Sequence, residues 1–399
     1  MIELKDVVSK IFYKDKNETY SALIYIDIDG ITSEQYILNY ITEIITKNPI
    51  LKQTIIEING LFFLDNVKNF NLNDYSSIKY TNVKKFDNFI KNILNEKFVT
   101  ELKWRFLWCI DKKNKKTRVY FKIHHSYADG YGIIKIITSP FEESKITNKF
   151  KRSTSFFKSL FHFFIGTIIL IIMNIKVFIN IIFKFLYNTD TETNNNETDY
   201  IICKKIKLDD IKLFAKKNKI SVNDFLYSLM IKTDLLYGKK TRNLITGSPI
   251  NISGTTQINN MCPVFININN SHEHLIKRVN DLFNNFKYSL FIPILSFFIK
   301  LSTSIIKLDI ISYFYNILVN NIDYLYSNII GPQNVFIGND LNIYDMHFLT
   351  IAKNKEVIYN IVSSGNNVNI ICTFKQGQIQ NKKKFEKAIY KAYNELINS

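Results

Sequence analysis

Cysteine is scarce and widely spaced in this chain, with only Cys109, Cys203, Cys262 and Cys372 among 399 residues. No two of them form a Cys-x-x-Cys pair, and no histidine lies near one at the spacing of a zinc ligand. This pattern argues against a disulfide framework and against a structural zinc site. We therefore expect four buried thiols that pack as small apolar residues, and no metal.

Arginine is also rare, although the chain is strongly basic. Lysine and arginine number 52 against 35 acidic residues, for a net charge of +17, yet only five of the basic residues are arginine. Proteins that read base sequence favour arginine for bidentate contacts, and no zinc-finger, basic-zipper or RNA-binding signature is present. We predict no nucleic-acid partner, because a diffuse lysine excess fits attraction to anionic lipid headgroups better.

We also predict no secretory signal, because residues 1–6 contain acids where a signal peptide has a basic stretch followed by an apolar run. The length of the chain and its 46% hydrophobic content predict two domains of similar size. Residues 20–28 and 118–123 read as strands, and residues 33–46 and 86–98 carry apolar side chains at helical spacing. The fold class is therefore mixed α/β.

The polar stretch 188–199 contains no apolar residue, which predicts a surface linker and a domain boundary. This divides the chain into an N-terminal domain, 1–155, a hydrophobic segment, 156–187, the linker, 188–199, and a C-terminal domain, 200–399. In the C-terminal domain, residues 221–224 precede a long helical pattern that Gly238 ends.

Segment 156–187 is the strongest membrane signal, but its uncharged run, 159–175, is shorter than the ~20 residues that usually span a bilayer. Lys176, Asn180 and Lys184 recur every four residues and therefore share one helical face. The opposite face would hold Val177, Phe178, Ile181, Ile182 and Phe185. We predict a helix in the membrane interface, with a buried core helix and a single span as alternatives. A second apolar region, 291–319, is interrupted by charged residues and a proline, which favours core or surface helices.

The sequence His124-His125-Ser126-Tyr127-Ala128-Asp129-Gly130 lies between a predicted strand and a helix-like run, 133–138. The end of a strand is a place where catalytic groups reach a cleft while a sheet holds them. Neutral imidazole is suited to take a proton from an alcohol near pH 7. Asp129 can turn back to orient the loop, and Gly130 allows a sharp bend. A structural histidine pair in a turn is the alternative.

The motif resembles the HHxxxDG signature of the wax ester synthase/diacylglycerol acyltransferase family, within the condensation-domain and chloramphenicol-acetyltransferase-like superfamily. Four further stretches resemble family motifs in the same order: Asn48-Pro49-Ile50-Leu51-Lys52, Leu102-Lys103-Trp104, Ser221-Val222-Asn223-Asp224 and Ser327-Asn328-Ile329-Ile330-Gly331-Pro332. The resemblance spans essentially the whole chain. Leu102, Lys103 and Ile330 depart from the family pattern, which bears on substrate choice and turn geometry.

The resemblance implies two chloramphenicol-acetyltransferase-like α/β domains with a cleft between them, plus a hydrophobic membrane-associating insertion. It implies catalysis by His125 as general base with His124 and Asp129, where Asp129 is expected to be architectural. Supporting and substrate-binding candidates are Gly130, Trp104, Asn223, Asp224, Asn328, Gly331 and Pro332; for the last five, a helix cap or a turn is an equal alternative.

The implied activity is acyl transfer from acyl-CoA to a long-chain alcohol or diacylglycerol, forming wax esters or triacylglycerol without a cofactor. The implied location is a membrane or lipid-droplet surface, on the cytosolic face of the endoplasmic reticulum or plasma membrane. The alternatives are a non-catalytic lipid-binding or regulatory protein on the same scaffold, or another HxxxD acyl-CoA acyltransferase.

Overall fold

The computed structural model describes residues 1–4, 6–14, 20–140, 162–187, 197–238, 240–251, 261–271, 274–332, 336–337, 341–352 and 357–398. The helices are α1 (Val7–Tyr13), α2 (Glu34–Lys47), α3 (Phe86–Asn95), α4 (Gly130–Thr138), α5 (Thr167–Tyr187), α6 (Leu208–Lys217), α7 (Val222–Gly238), α8 (Leu275–Tyr288), α9 (Phe291–Ile305), α10 (Leu308–Asn320) and α11 (Lys382–Ile397). The strands are β1 (Ile2–Glu3), β2 (Ser21–Asp29), β3 (Gln53–Ile58), β4 (Leu61–Asn66), β5 (Ser76–Tyr80), β6 (Trp104–Asp111), β7 (Lys116–His124), β8 (Thr198–Ile202), β9 (Ile206–Lys207), β10 (Asn243–Asn251), β11 (Met261–Asn269), β12 (Tyr324–Ile330), β13 (Phe336–Ile337), β14 (Leu341–Thr350), β15 (Val357–Ser364) and β16 (Asn367–Lys375).

The strands form two large sheets and a small one. The first large sheet has the order β13-β14-β2-β7-β6-β5, and the second has β11-β10-β12-β15-β16-β8, with β9 also paired to β16. The small sheet has the order β1-β4-β3. Each large sheet packs its helices over a core of aliphatic and aromatic residues. The mixed α/β class predicted from the sequence is therefore what the chain adopts.

The local predictions in the first half follow from side-chain periodicity and capping. Ser33 caps α2, because its hydroxyl accepts a hydrogen bond from the amide of Tyr36 at 3.1 Å. The predicted strands 20–28 and 118–123 correspond to β2 and β7, which pair antiparallel. The predicted helix 86–98 ends earlier, at Asn95. All four cysteines are buried and none forms a disulfide, as predicted.

The first large sheet includes strands from both halves of the chain. Strand β14 comes from the second half of the sequence, yet it pairs antiparallel with β2 in the first sheet, from Asn342 opposite Asp29 to Thr350 opposite Ala22. Most of the predicted linker lies outside the described residues, but its last part was assigned wrongly. Thr198 and Asp199 begin β8, where Thr198 is fully buried and pairs opposite Lys375.

Helix α5 buries only a narrow stripe of its side chains. Val177 and Ile181 are buried against the protein, as are Leu170 and Thr167 nearer its start, whereas Phe178 is 45% exposed. The apolar residues predicted to share one face therefore divide between this buried stripe and an exposed surface that includes Phe178 and Ile182. The reason is that α5 packs on the protein through one stripe and leaves a second, wider apolar face exposed. The side chains of residues 184–187 lie outside the description.

In the described residues, one stretch, Phe163–Phe183, is long and apolar enough to cross a membrane. Helix α8 and most of α9 would together pass the same test but are bent by 59° relative to each other. The second apolar region, 291–319, forms α9 and α10, in agreement with the prediction of core or surface helices.

Candidate active site

The His124–Gly130 loop leaves the first sheet at the end of β7. Its backbone is fixed on both sides, because the amide of His124 donates to the carbonyl of Lys103 at 2.9 Å and the amide of His125 donates to that of Tyr20 at 2.7 Å. The ring of His124 is buried, and its Nδ1 lies 2.9 Å from the hydroxyl of Ser126. The ring of His125 is half-buried and lines a cavity between the two sheets.

The contacts of His125 assign its tautomer. Nδ1 lies 3.1 Å from the carbonyl oxygen of Ala128, which can only accept, so Nδ1 carries the hydrogen and Nε2 keeps its lone pair. Burial of the ring disfavours its charged form and lowers its pKa from 6.5 to about 4, against a smaller opposing effect of the Ala128 hydrogen bond. The ring of Phe12 lies 5.4 Å away, centroid to centroid. His125 is thus a neutral imidazole at pH 7 whose basic nitrogen is Nε2.

Asp129 caps helix α4. Its carboxylate accepts a hydrogen bond from the amide of Gly132 at 2.8 Å, and its backbone has the extended conformation of an N-cap residue. Gly130 allows a close helix–strand approach, because a Cβ at this position would collide with Cδ1 of Ile329 on β12. This geometry agrees with the architectural role expected for Asp129. It also packs the His124–Gly130 loop directly against β12, the strand that carries Ile329.

Two other N-terminal motifs support the loop from beneath. Trp104 is fully buried, and its indole N–H donates to the carbonyl of Leu51 at 2.8 Å. The hydroxyl of Tyr127 donates to the carbonyl of Gln53 at 2.9 Å. Since Lys103 holds the amide of His124, the Asn48–Lys52, Leu102–Trp104 and His124–Gly130 motifs form one hydrogen-bonded unit.

The C-terminal motifs form the facing wall. The side-chain oxygen of Asn223 accepts hydrogen bonds from the hydroxyl of Tyr326 and the amide of Asn328, both at 3.0 Å. Asp224 instead forms a capping box with Ser221, since each accepts from the backbone amide of the other. The helix-cap alternative therefore describes Asp224, whereas Asn223 joins two motifs.

Gly331 has a packing reason for being glycine. A Cβ there would lie 2.5 Å from the backbone oxygen of Ser363 on β15. Its amide donates to the same oxygen at 2.8 Å, and the carbonyl of Pro332 accepts from the amide of Gly365 at 3.2 Å. Gly331 and Pro332 thus shape the strand end rather than face the cavity that His125 lines.

Two further cavities share lining residues with the cavity that His125 lines. The central cavity, of about 270 Å³, has His125, Asp129 and Gly130 on one wall and Ser248, Ser327 and Asn328 on the other. A polar cavity of about 610 Å³ shares Ser248, Pro249 and Asn328 with it, and is also lined by Asn223, Asp224 and Lys287. An apolar groove of about 640 Å³ shares Phe12, Met261, Pro263, Phe265 and Tyr315 with the central cavity.

The sequence motifs did not mark several of the lining residues. The rings of Phe12, Tyr20 and Tyr315 contact one another in tilted arrangements beside the base. The Tyr20 hydroxyl donates to the side-chain oxygen of Asn316 on α10 at 2.6 Å. Ser248 faces the base from β10. No local signal distinguishes these residues, because their place at the site arises only when distant elements pack together.

A possible metal-ligand cluster lies elsewhere, where Asp27, Asp345 and His347 bring ligand atoms within 4.8 Å of one another. Its carboxylates already have cationic partners: Arg118 lies 2.5 Å from Asp27, and Lys205 lies 2.8 Å from Asp345. Burial favours the neutral acid of Asp345, but hydrogen bonds from His347 and Lys205 prevail and lower its pKa. The arrangement is that of a buried ion-pair network, which leaves no carboxylate for a metal.

Residues 259–397 match the family described as the WS/DGAT C-terminal domain, that of wax ester synthases and diacylglycerol acyltransferases. The matched residues form the C-terminal third of the chain. The match confirms the family resemblance inferred from the motifs, and it includes β12, which carries Ser327 and Asn328 on the wall that faces His125. Among curated proteins, no sequence match is found.

Solved structures share the fold over almost the full length. The wax ester synthase/diacylglycerol acyltransferase from Marinobacter aquaeolei matches with a TM-score of 0.61 at 10% identity, covering 97% of both chains. Trichothecene 15-O-acetyltransferase from Fusarium sporotrichioides gives 0.65 at 8% identity, covering 98% of this chain and 94% of that one. The starter condensation domain of rhizomide synthetase with C8-CoA gives 0.59 at 8% identity, covering 100% and 94%. The predicted two-domain, chloramphenicol-acetyltransferase-like fold is thereby confirmed, and the match to the WS/DGAT family model together with this fold supports an acyltransferase.

Proposed function

We propose that the protein transfers a fatty acyl group from acyl-CoA to a long-chain alcohol or diacylglycerol, forming a wax ester or triacylglycerol. The observation that carries this proposal is the placement of His125, whose Nδ1 is anchored on Ala128 while the ring faces a cavity between the two sheets. A polar and an apolar cavity each share part of the lining of that cavity, through different residues. This arrangement suits a reaction between one polar and one apolar substrate.

In the reaction, Nε2 of His125 takes the proton of the acceptor hydroxyl as its oxygen attacks the thioester carbonyl carbon. The tetrahedral intermediate collapses by breaking the carbon–sulfur bond. The CoA thiolate leaves and receives the proton from the imidazolium, so the base is regenerated without an acyl-enzyme. His124 and Asp129 act as positioning residues, since one is buried behind the loop and the other caps α4.

The polar cavity suits the CoA portion of the donor. Lys287 is exposed at its edge, and Asn223 and Asn328 supply amides along its wall. The acyl chain of the donor would then have to reach the central cavity past Ser248 and Asn328, which line both cavities. The neutral, water-insoluble product would leave towards the apolar groove.

The test is CoA release from palmitoyl-CoA with and without hexadecanol or dioleoylglycerol, with the ester product identified by chromatography. We expect acceptor-dependent release by the wild type and a fall of at least about a hundredfold for His125→Ala, the usual size of a general-base contribution. His274→Ala is the matched control, because His274 is exposed at the start of α8, away from the cavities.

Two results would contradict the proposal. Turnover by His125→Ala at the wild-type rate, with both proteins folded, would remove His125 as the base. Binding of lipid by the wild type with no acceptor-dependent CoA release would favour the non-catalytic lipid-binding alternative.

A further inference from the structure

Helices α5, α9 and α10 contact one another and together expose an apolar surface, here called the helical face. Ile168 on α5 is 56% exposed, Phe297 on α9 is 61% exposed, and Phe314 on α10 is 52% exposed. We include Phe164 and Ile165, which lie in the π-helical turn His162–Gly166 just before α5. The other members of the helical face are Ile169, Ile171, Ile172, Ile175, Phe178, Ile179, Ile182, Phe183, Phe298, Leu301, Ile305, Ile310 and Tyr313. An exposed apolar surface on this scale marks a site of interaction rather than a solvated wall.

The apolar groove opens between the same helices. Its walls are Ile171, Ile175 and Phe178 from α5, residues of α9 and α10 opposite them, and α1 at the inner end. Among the described residues that line the groove, none is charged, and Asn174 and Ser302 are the polar ones apart from Tyr315. Such a lining accepts hydrocarbon and offers little to a polar ligand.

The groove leads inward to the base. Phe12 and Tyr315 line both the groove and the central cavity, and their ring centroids lie 6.2 Å apart. The ring of Phe12 is in turn 5.4 Å from that of His125. The groove therefore adjoins the cavity of the proposed general base, with the rings of Phe12 and Tyr315 between them.

We propose that the groove is a lateral port through which the hydrocarbon chain of the acceptor passes from a membrane to His125, with the helical face lying in the membrane interface. This inference rests on the proposed function and adds the route of one substrate. The acceptor is the occupant because a long-chain alcohol or diacylglycerol is dissolved in the membrane, whereas the CoA portion of the donor suits the polar cavity, which shares no lining residue with the groove.

The charge on these helices favours an anionic lipid surface. Lys176, Lys300 and Lys307 are exposed on or beside the helical face. The acid in this region, Asp309, lies 3.0 Å from Lys14. Lysine beside an apolar helical surface is typical of helices that lie in the interface of a membrane containing anionic lipids.

The port is tested by narrowing the groove with Ser302→Trp from α9, or with Ile310→Trp from α10. We expect kcat/KM for hexadecanol to fall at least about tenfold while that for butanol stays within about twofold, since withdrawing about two methylenes from apolar contact at ~0.8 kcal/mol each gives such a factor. Leu213→Trp is the control, because Leu213 is 69% exposed on α6, outside the groove and the helical face.

Equal losses for the two alcohols in both groove variants, or no loss in either, would overturn the port. A loss that instead followed the acyl chain of the donor, seen with palmitoyl-CoA but not acetyl-CoA when butanol is the acceptor, would assign the groove to the donor and also overturn it. Absence of CoA release by the wild type with either alcohol would instead contradict the proposed function.

Membrane contact is measured without catalysis. Trp104 and Trp108 are fully buried in the first domain, so a tryptophan placed at Phe297 reports separately from them. We expect vesicles of brominated phosphatidylcholine with phosphatidylserine to quench the added fluorescence of Phe297→Trp. Quenching no greater than in the wild type would overturn the membrane-facing port, whatever the activity.

Discussion

The strongest quantitative prediction concerns the acid limb of the pH–rate profile. Burial holds the pKa of His125 at about 4, below its ordinary value of 6.5. At pH 5.5, a group with a pKa of 4 is about 97% neutral, whereas a group with a pKa of 6.5 is about 9% neutral. The base should therefore remain competent well below pH 6.

The assay is CoA release at low acceptor concentration from pH 4 to pH 8, because kcat/KM reports the pKa of the free enzyme. We expect the rate to stay level down to about pH 5 and then to fall with a midpoint near 4. A midpoint near 6.5 would refute the reasoning, since it would mean that the ring is solvated rather than enclosed by protein.

The lowered pKa of His125 also makes the free energy of unfolding depend on pH. The folded state resists protonating His125 and the unfolded chain does not, so stability is full above pH 6.5 and is lost as pH falls from 6.5 through about 4. The difference corresponds to about 3 kcal/mol. Urea unfolding at pH 7 and pH 4 should show a smaller pH-dependent loss for His125→Gln than for the wild type, and equal losses would argue against the buried neutral ring.

Substitutions in the two motif loops test their architecture by urea unfolding at pH 7. Asp129→Ala should cost about 1 kcal/mol and Asp129→Asn almost nothing, because asparagine caps a helix as well; equal losses would show that charge matters rather than capping. Gly130→Ala should lower the free energy of unfolding by about 1–3 kcal/mol, because the added methyl group collides with Cδ1 of Ile329. Adding Ile329→Val to Gly130→Ala should recover part of this loss, because valine lacks the colliding methyl group. If the effects of the two substitutions simply add in the double variant, the contact is excluded. Gly331→Ala should cost more than Gly130→Ala, because the backbone oxygen of Ser363 cannot rotate away; an equal or smaller cost would contradict this.

Features that depend on neighbouring residues were predictable from the sequence. The strand, loop and helix around His125 were predictable because the spacing of apolar residues changes from that of a strand to that of a helix across the motif. The starts of α2 and α7 were predictable because Ser33 and Ser221 form capping hydrogen bonds with residues three positions later. Asp129 was expected to be architectural, and its hydrogen bond to Gly132 fits that role.

Features that depend on distant pairing were not predictable. Strand β14 lies more than 300 residues after β2 in the sequence, and nothing in its alternation specifies which sheet it joins. The buried stripe of α5 was not predictable for a related reason, because its sequence is apolar on nearly every side and only the packing partner decides which stripe is buried. Phe12 and Tyr315 line the site for the same reason, because packing between distant elements brings them there.

The sheet pairing also decides how α5 can meet a membrane. Strand β2 precedes α5 and β14 follows it, yet the two are hydrogen-bonded neighbours in one sheet, so both ends of α5 lead to the same side. A second crossing through α8 and α9 would not resolve this, because β10 precedes these helices and β12 follows them, and these strands also pair. Paired strands cannot be divided by a hydrocarbon layer, since every unpaired backbone group there would cost several kcal/mol. In this fold, α5 could therefore contact a membrane along its side, which is the orientation that the proposed port requires of the helical face and the mouth of the apolar groove.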